Sequence, residues 1–137
     1  MRRTATGEAA LSREAQPREL LDVARRLTAS TSWNTSFWAT RAVALLVRQA
    51  VETWLAQYWE ATASAVARSP RRAQFLLLHD TIPRDAAAEA YATWGQLSRA
   101  CHHRTFGLEP SRHEALCWIA QAERFGDALS VAHRARP

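Results

Sequence analysis

Apolar residues fall at helical spacing along most of this chain. Leu20, Leu21, Val23, Ala24 and Leu27 form a short stripe behind Pro17, a residue suited to the first turn of a helix. Residues 1–16 ahead of it are polar and without period, and read as a flexible N-terminal arm. Thr28 to Asn34 is a break rich in Ser, Thr and Asn. The strongest helical pattern then runs from about Thr35 to Ala63. Trp38, Ala42, Leu45 and Leu46 share one side, and Val47, Val51, Trp54, Leu55 and Tyr58 share another. A helix apolar round most of its circumference belongs at the centre of a bundle. Its polar row is Arg41, Arg48 and Glu52, and the last two are spaced to pair.

Ser69-Pro70 opens a shorter helix, from Arg71 to about Asp80, that carries Phe75, Leu76, Leu77 and Leu78; Ile82-Pro83 stops it. A long helix follows from Arg84 to Phe106, with Ala87, Ala90, Tyr91, Trp94, Leu97, Ser98 and Cys101 on its buried side. Gly107 is placed as a left-handed cap, with Leu108 as the accompanying apolar contact. Ser111 and Glu114 make a capping box for a last helix, from Arg112 to about Ala132, whose stripe is Ala115, Trp118, Ile119, Ala122, Phe125 and Leu129. Residues 133–137 form a basic tail. The pattern therefore predicts an all-α fold: an antiparallel four-helix-type bundle over residues 17–132, with an extra short helix at its N-terminal end.

Composition narrows the function classes. The 137 residues suit one domain, and only 4 Gly and 5 Pro argue against a many-turned β protein. No window has the apolar length of a membrane span. Thr4 to Ser12 is polar and small, so no signal peptide follows Met1. With 2 Cys and no targeting segment, the expected location is the cytoplasm. All 18 basic residues are Arg. A GC-rich coding sequence is the simplest source of that bias, but guanidinium forks also pair bidentately with phosphate. The net charge of +5 fits a nucleic-acid partner. Gly-rich phosphate loops, paired carboxylates and a serine nucleophile elbow are all absent, which sets most enzyme classes aside.

The candidate chemistry gathers near the last hairpin, in Ser98-Arg99-Ala100-Cys101-His102-His103-Arg104 and, across the turn, in His113, Glu114 and Cys117. Three readings compete. Cys101, His102 or His103, His113 and Cys117 are zinc-ligand types, though no Cys-x-x-Cys pair is present. Alternatively, Arg99 and His103 are four apart on one helix face with Gln96 beside them. A histidine there can move the proton of a ribose 2′-hydroxyl while an arginine holds the phosphate, and Arg104 can add a second phosphate contact. That chemistry needs no metal and no cofactor. The third reading is structural: His102 packs near Ser98, and Arg99 pairs with a carboxylate such as Glu114. Among the tryptophans, Trp54, Trp94 and Trp118 fall on apolar stripes. Trp33 and Trp38 stand at the break before the central helix, either as a cap over the bundle end or exposed to stack bases or line a partner interface.

A resemblance adds to these readings. Arg41-Ala42-Val43-Ala44-Leu45-Leu46-Val47-Arg48-Gln49-Ala50-Val51-Glu52 resembles the first long helix of HEPN domains, and Leu97-Ser98-Arg99-Ala100-Cys101-His102-His103 falls where those domains place their Arg…His motif. The likeness covers roughly residues 37–125. The family motif sets four to six residues between Arg and His; here two and three separate Arg99 from His102 and His103, so the motif is degenerate. The resemblance implies a four-helix bundle, frequently a homodimer, and a metal-independent ribonuclease or RNA-binding component of a bacterial toxin–antitoxin or antiviral system, with an antitoxin or other protein partner. It would make Arg99, His102 and His103 the catalytic set, with Arg104, Arg48 and Gln96 on the substrate. The other expectation is a non-catalytic accessory subunit that docks on a larger partner.

Overall fold

The computed structural model describes residues 4–30, 37–102 and 110–137, with side chains from Gln16 onward, Phe37 excepted. Within these the chain is all-helical. α1 spans Thr4–Ala29, α2 Phe37–Thr62, α3 Ser64–Ala67, α4 Arg71–Leu77, α5 Arg84–His102 and α6 Arg112–Arg134, and a 3-10 turn occupies Leu78–Asp80. No strand occurs among the described residues. None of their helices is long and apolar enough to cross a membrane.

α2 is the hub: it packs on α1, α5 and α6, and α5 packs on α6. Side-chain pairs give the directions. Arg18 and Arg25 of α1 meet Asp127 and Glu123 of α6. Thr93 and Gln96 of α5 bond Gln121 and Trp118 of α6. Arg41 and Glu52 of α2 bond Cys101 and Trp94 of α5. In each couple a rising number meets a falling one, so α1 with α6, α5 with α6 and α2 with α5 run antiparallel, which leaves α2 and α6 parallel.

Two expectations about the elements need correction. α1 begins at Thr4, so the segment ahead of Pro17 is helical rather than a loose arm. Its alanines and glutamates favour helix without supplying an apolar stripe, so periodicity does not reveal them. Pro17 lies inside α1, fully buried. The first helix is therefore as long as α2, at 26 residues each. The short elements are instead α3 and α4, and α4 stops at Leu77 because Leu78–Asp80 tightens into a 3-10 turn before Pro83. The four long helices are α1, α2, α5 and α6. The expected continuation of α5 to Phe106 and the cap at Gly107 lie outside the described residues. The capping box at α6 is formed, with Ser111 Oγ accepting from Glu114 N at 3.1 Å.

The core joins Leu21, Val43, Val47, Leu55, Phe75, Leu78, Leu97 and Ile119, all at most 2% exposed. Phe75 carries α4 into the bundle, its ring centroid 5.1 Å from Trp94 and 6.1 Å from Phe125. Gln74 pins the α3–α4 connection. Its buried amide donates to the Ala67 and Ser69 carbonyls at 3.1 and 2.8 Å and accepts from Arg71 at 3.2 Å. Its backbone carbonyl takes the Trp59 indole N–H from α2 at 3.2 Å. With these bonds made, a buried amide that would otherwise be costly holds the connection in place.

Candidate functional site

The polar row of α2 faces the last turns of α5. Arg41 donates from Nε and Nη2 to the Cys101 carbonyl, at 3.2 and 2.7 Å, and so caps an end-of-helix acceptor with a cation. Two turns on, Arg48 Nε donates to Glu52 Oε1 at 3.1 Å, the i,i+4 pair that the spacing implies. The same oxygen accepts the Trp94 indole N–H at 2.9 Å. Arg48 also reaches across to α5, where its Nη1 lies 3.1 Å from His102 Nε2. The result is a chain of bonds: Trp94 and Arg48 to Glu52, and Arg48 to His102.

The direction of the last bond follows from chemistry. A guanidinium has only donors, so Arg48 donates and His102 Nε2 accepts. The ring is then the neutral tautomer with its hydrogen on Nδ1. His102 is exposed, while the Arg48 and Glu52 side chains are each 24% exposed. The imidazole is thus open to solvent but held from behind by a sheltered, charge-balanced arginine.

Arg99 precedes His102 by three residues, so the two are neighbours on the outer side of α5. Arg99 is exposed, and its guanidinium lies back over Gly95. No ion pair joins it to Glu114. Gln96 lies one further step of three back and continues the ridge towards α6, where its Oε1 accepts the Trp118 indole N–H at 3.0 Å. Beside it opens a recess of about 320 Å³ lined by Gln96, Glu114, Cys117, Trp118 and Gln121. The structure therefore brings Arg48 and His102 together at the α2–α5 edge, with Arg99 on the outer ridge of α5 between His102 and Gln96. His103 and Arg104 lie outside the described residues, as does Trp33.

Cys101 is buried beneath this edge. Burial pushes its thiol up, while the charges of Arg48 and Arg41 pull the other way. The Ser98 hydroxyl is also buried here, without a hydrogen-bond partner, so His102 is held by Arg48 and not by Ser98. Cys117 sits on the recess, its Sγ 3.6 Å from His113 Nε2. Among the described residues no three His, Cys, Asp or Glu side chains group as metal ligands.

Arg41, Glu52 and Trp94 hold this site together, yet no sequence motif marks them as functional. Arg41 and Glu52 were visible as members of a polar row on an otherwise apolar helix, which is the signal that a partner group faces them. No protein-family model, curated protein or solved structure matches this chain.

Proposed function

We propose that this chain is a HEPN-like protein directed at RNA, a metal-independent endoribonuclease whose base is His102 and whose phosphate clamps are Arg48 and Arg99. The observation that carries the reading is the bond between exposed His102 and anchored Arg48. It places an imidazole lone pair and a fixed guanidinium within one phosphodiester of each other.

In the free protein the Nε2 lone pair is occupied by Arg48. A scissile phosphate is a stronger acceptor than a neutral imidazole, because charge-assisted bonds are the strong ones. Phosphate binding would draw the Arg48 N–H onto its own oxygen and leave Nε2 free. Nε2 then takes the proton of the adjacent 2′-hydroxyl. The resulting oxygen attacks phosphorus, and the bond to the 5′-oxygen breaks. A cyclic 2′,3′-phosphate and a 5′-hydroxyl remain, the latter protonated from water. Arg48 and Arg99 offset the charge that builds on the non-bridging oxygens. His103 and Arg104, next in the sequence, would serve as a second proton carrier and phosphate contact. A homodimer would bring two such sites together, and an activity of this kind suits a toxin held by an antitoxin or an antiviral effector.

The test is cleavage of varied single-stranded RNAs in EDTA. Wild type should release cyclic-phosphate ends, and His102→Ala should lose roughly 10² or more in rate. Equal rates for both proteins, or no cleavage by wild type across the substrates, would overturn the reading. The second reading, a non-catalytic docking subunit, is favoured by the adjacent exposed Leu76 and Leu77 on α4. It gains if RNA is neither cleaved nor bound while Leu76→Ser/Leu77→Ser abolishes capture of a partner from the native host.

A further inference from the structure

The outer face of α2 carries a solvent-exposed apolar strip. Trp38 is 74% exposed and Leu45 55% exposed, with half-buried Ala42 between them and exposed Gln49 beyond. These positions recur at steps of four, three and four, so they line one side of the helix. Arg41 and Arg48 flank the strip on its α5 side, where they hold Cys101 and His102. Trp38 is one helical turn before Arg41 and about 15 Å along the axis from Arg48. An aromatic face thus stands beside a basic edge, separated from the reactive imidazole by a few nucleotides' length of strand.

We infer that Trp38 is a base-stacking platform: an unpaired base upstream or downstream of the scissile phosphate lies on its indole while the backbone tracks along Arg41, Arg48 and Arg99. This rests on the RNA reading above and adds to it the residue that selects unpaired over paired strands. The charge pattern decides the occupant. A single strand offers flat apolar faces and a regular line of negative charge together, which matches an indole next to a row of guanidinium groups. In a duplex those faces are stacked away. A second copy of this chain would bring another +5 of net charge to the same edge.

The test is binding of a labelled 2′-O-methyl oligouridylate, which 2′-hydroxyl attack cannot cleave, with its duplex as the comparison. At 74% exposure Trp38 bears little of the core, so Trp38→Ala should melt as wild type does. Trp38→Ala should weaken single-strand binding by on the order of tenfold, and Trp38→Phe should recover most of it. Duplex binding and the salt dependence should stay the same, because no phosphate contact is lost. Arg48→Ala should instead weaken both forms and reduce the salt slope by about one. If Trp38→Ala binds the single strand as tightly as wild type while Arg48→Ala does not, the stacking role is wrong and the phosphate site stands. If wild type binds neither form, both readings fall together. If Trp38→Ala splits a dimer on sedimentation, the strip is an interface between copies and the inference is overturned.

Discussion

Arg48 Nη1 and His102 Nε2 face each other at 3.1 Å across the α2–α5 boundary, and only the arginine can be the donor. The free protein should therefore hold His102 with its hydrogen on Nδ1. Long-range proton–nitrogen NMR of the imidazole reads this directly, and a hydrogen on Nε2 in wild type would contradict the geometry. Arg48→Ala should remove the tautomer preference and, if the cleavage chemistry is right, lower turnover by roughly 10²-fold, the usual cost of one lost donor to a developing anion.

Glu52 is the anchor of that arrangement. One carboxylate oxygen takes both the Arg48 Nε–H and the Trp94 indole N–H. With the side chain 24% exposed, solvent replaces these bonds only in part. Glu52→Ala should cost about 1.5–3 kcal/mol in denaturant unfolding, the range for hydrogen bonds to a charged group. Glu52→Gln keeps an oxygen for Trp94 and should fall between. An unchanged unfolding midpoint in Glu52→Ala would show that Arg48 is held by something else.

How much of this was legible beforehand depends on which interaction carried each feature. The stripes of α2, α5 and α6 and the Ser111 cap were readable because they rest on local spacing and local hydrogen bonds. The i,i+4 pair Arg48–Glu52 was readable for the same reason. The N-terminal half of α1 was not, since a segment rich in alanine and glutamate without an apolar stripe leaves no periodic trace. At the site, the spacing within α5 placed Arg99 beside His102 but could not say which helix His102 faces. That depends on the rotation of α5 against α2, set by Leu97 and Cys101 turning inward. The same rotation sends Gln96 to α6, and so separates residues that the linear motif had grouped.

Trp54 and Gly126 offer a test of the packing itself. A Cβ built on Gly126 would stand 2.6 Å from Trp54 Cζ2, inside any real contact, and the indole is large and only 8% exposed. Two effects oppose each other in Gly126→Ala. Helix propensity gains about 1 kcal/mol, while overpacking costs typically about 1–3 kcal/mol. With rigid ring atoms as the obstacle, overpacking should win and the melting temperature should drop. In a Trp54→Leu background the obstacle is gone, and the same alanine should become neutral or stabilising. A loss of equal size in both backgrounds would rule out the indole as its cause.

Cys101 gives the fold a pH dependence whose sign is fixed. Its thiol is raised above the ordinary value of 9.0, chiefly by burial, so the folded chain keeps a proton that the unfolded chain releases first. Below that value both states are protonated, and the stabilising contribution is fully present. As pH rises past it the unfolded state loses the proton, and stability falls by up to about 1.4 kcal/mol per pH unit until the folded thiol also ionises. Cys101→Ala removes the site, together with some packing that is independent of pH. The stability difference between wild type and Cys101→Ala should therefore be flat from pH 6 to about 8 and then shift against wild type as pH climbs through about 9 and beyond. Denaturant unfolding at stepped pH measures it. A difference that stays constant across the alkaline range, or that moves in favour of wild type, would mean the thiol is not sealed between the two helices. Thiol labelling gives an independent reading: Cys117, on the open recess, should react in the native protein, and Cys101 only at the rate at which α5 lifts from α2.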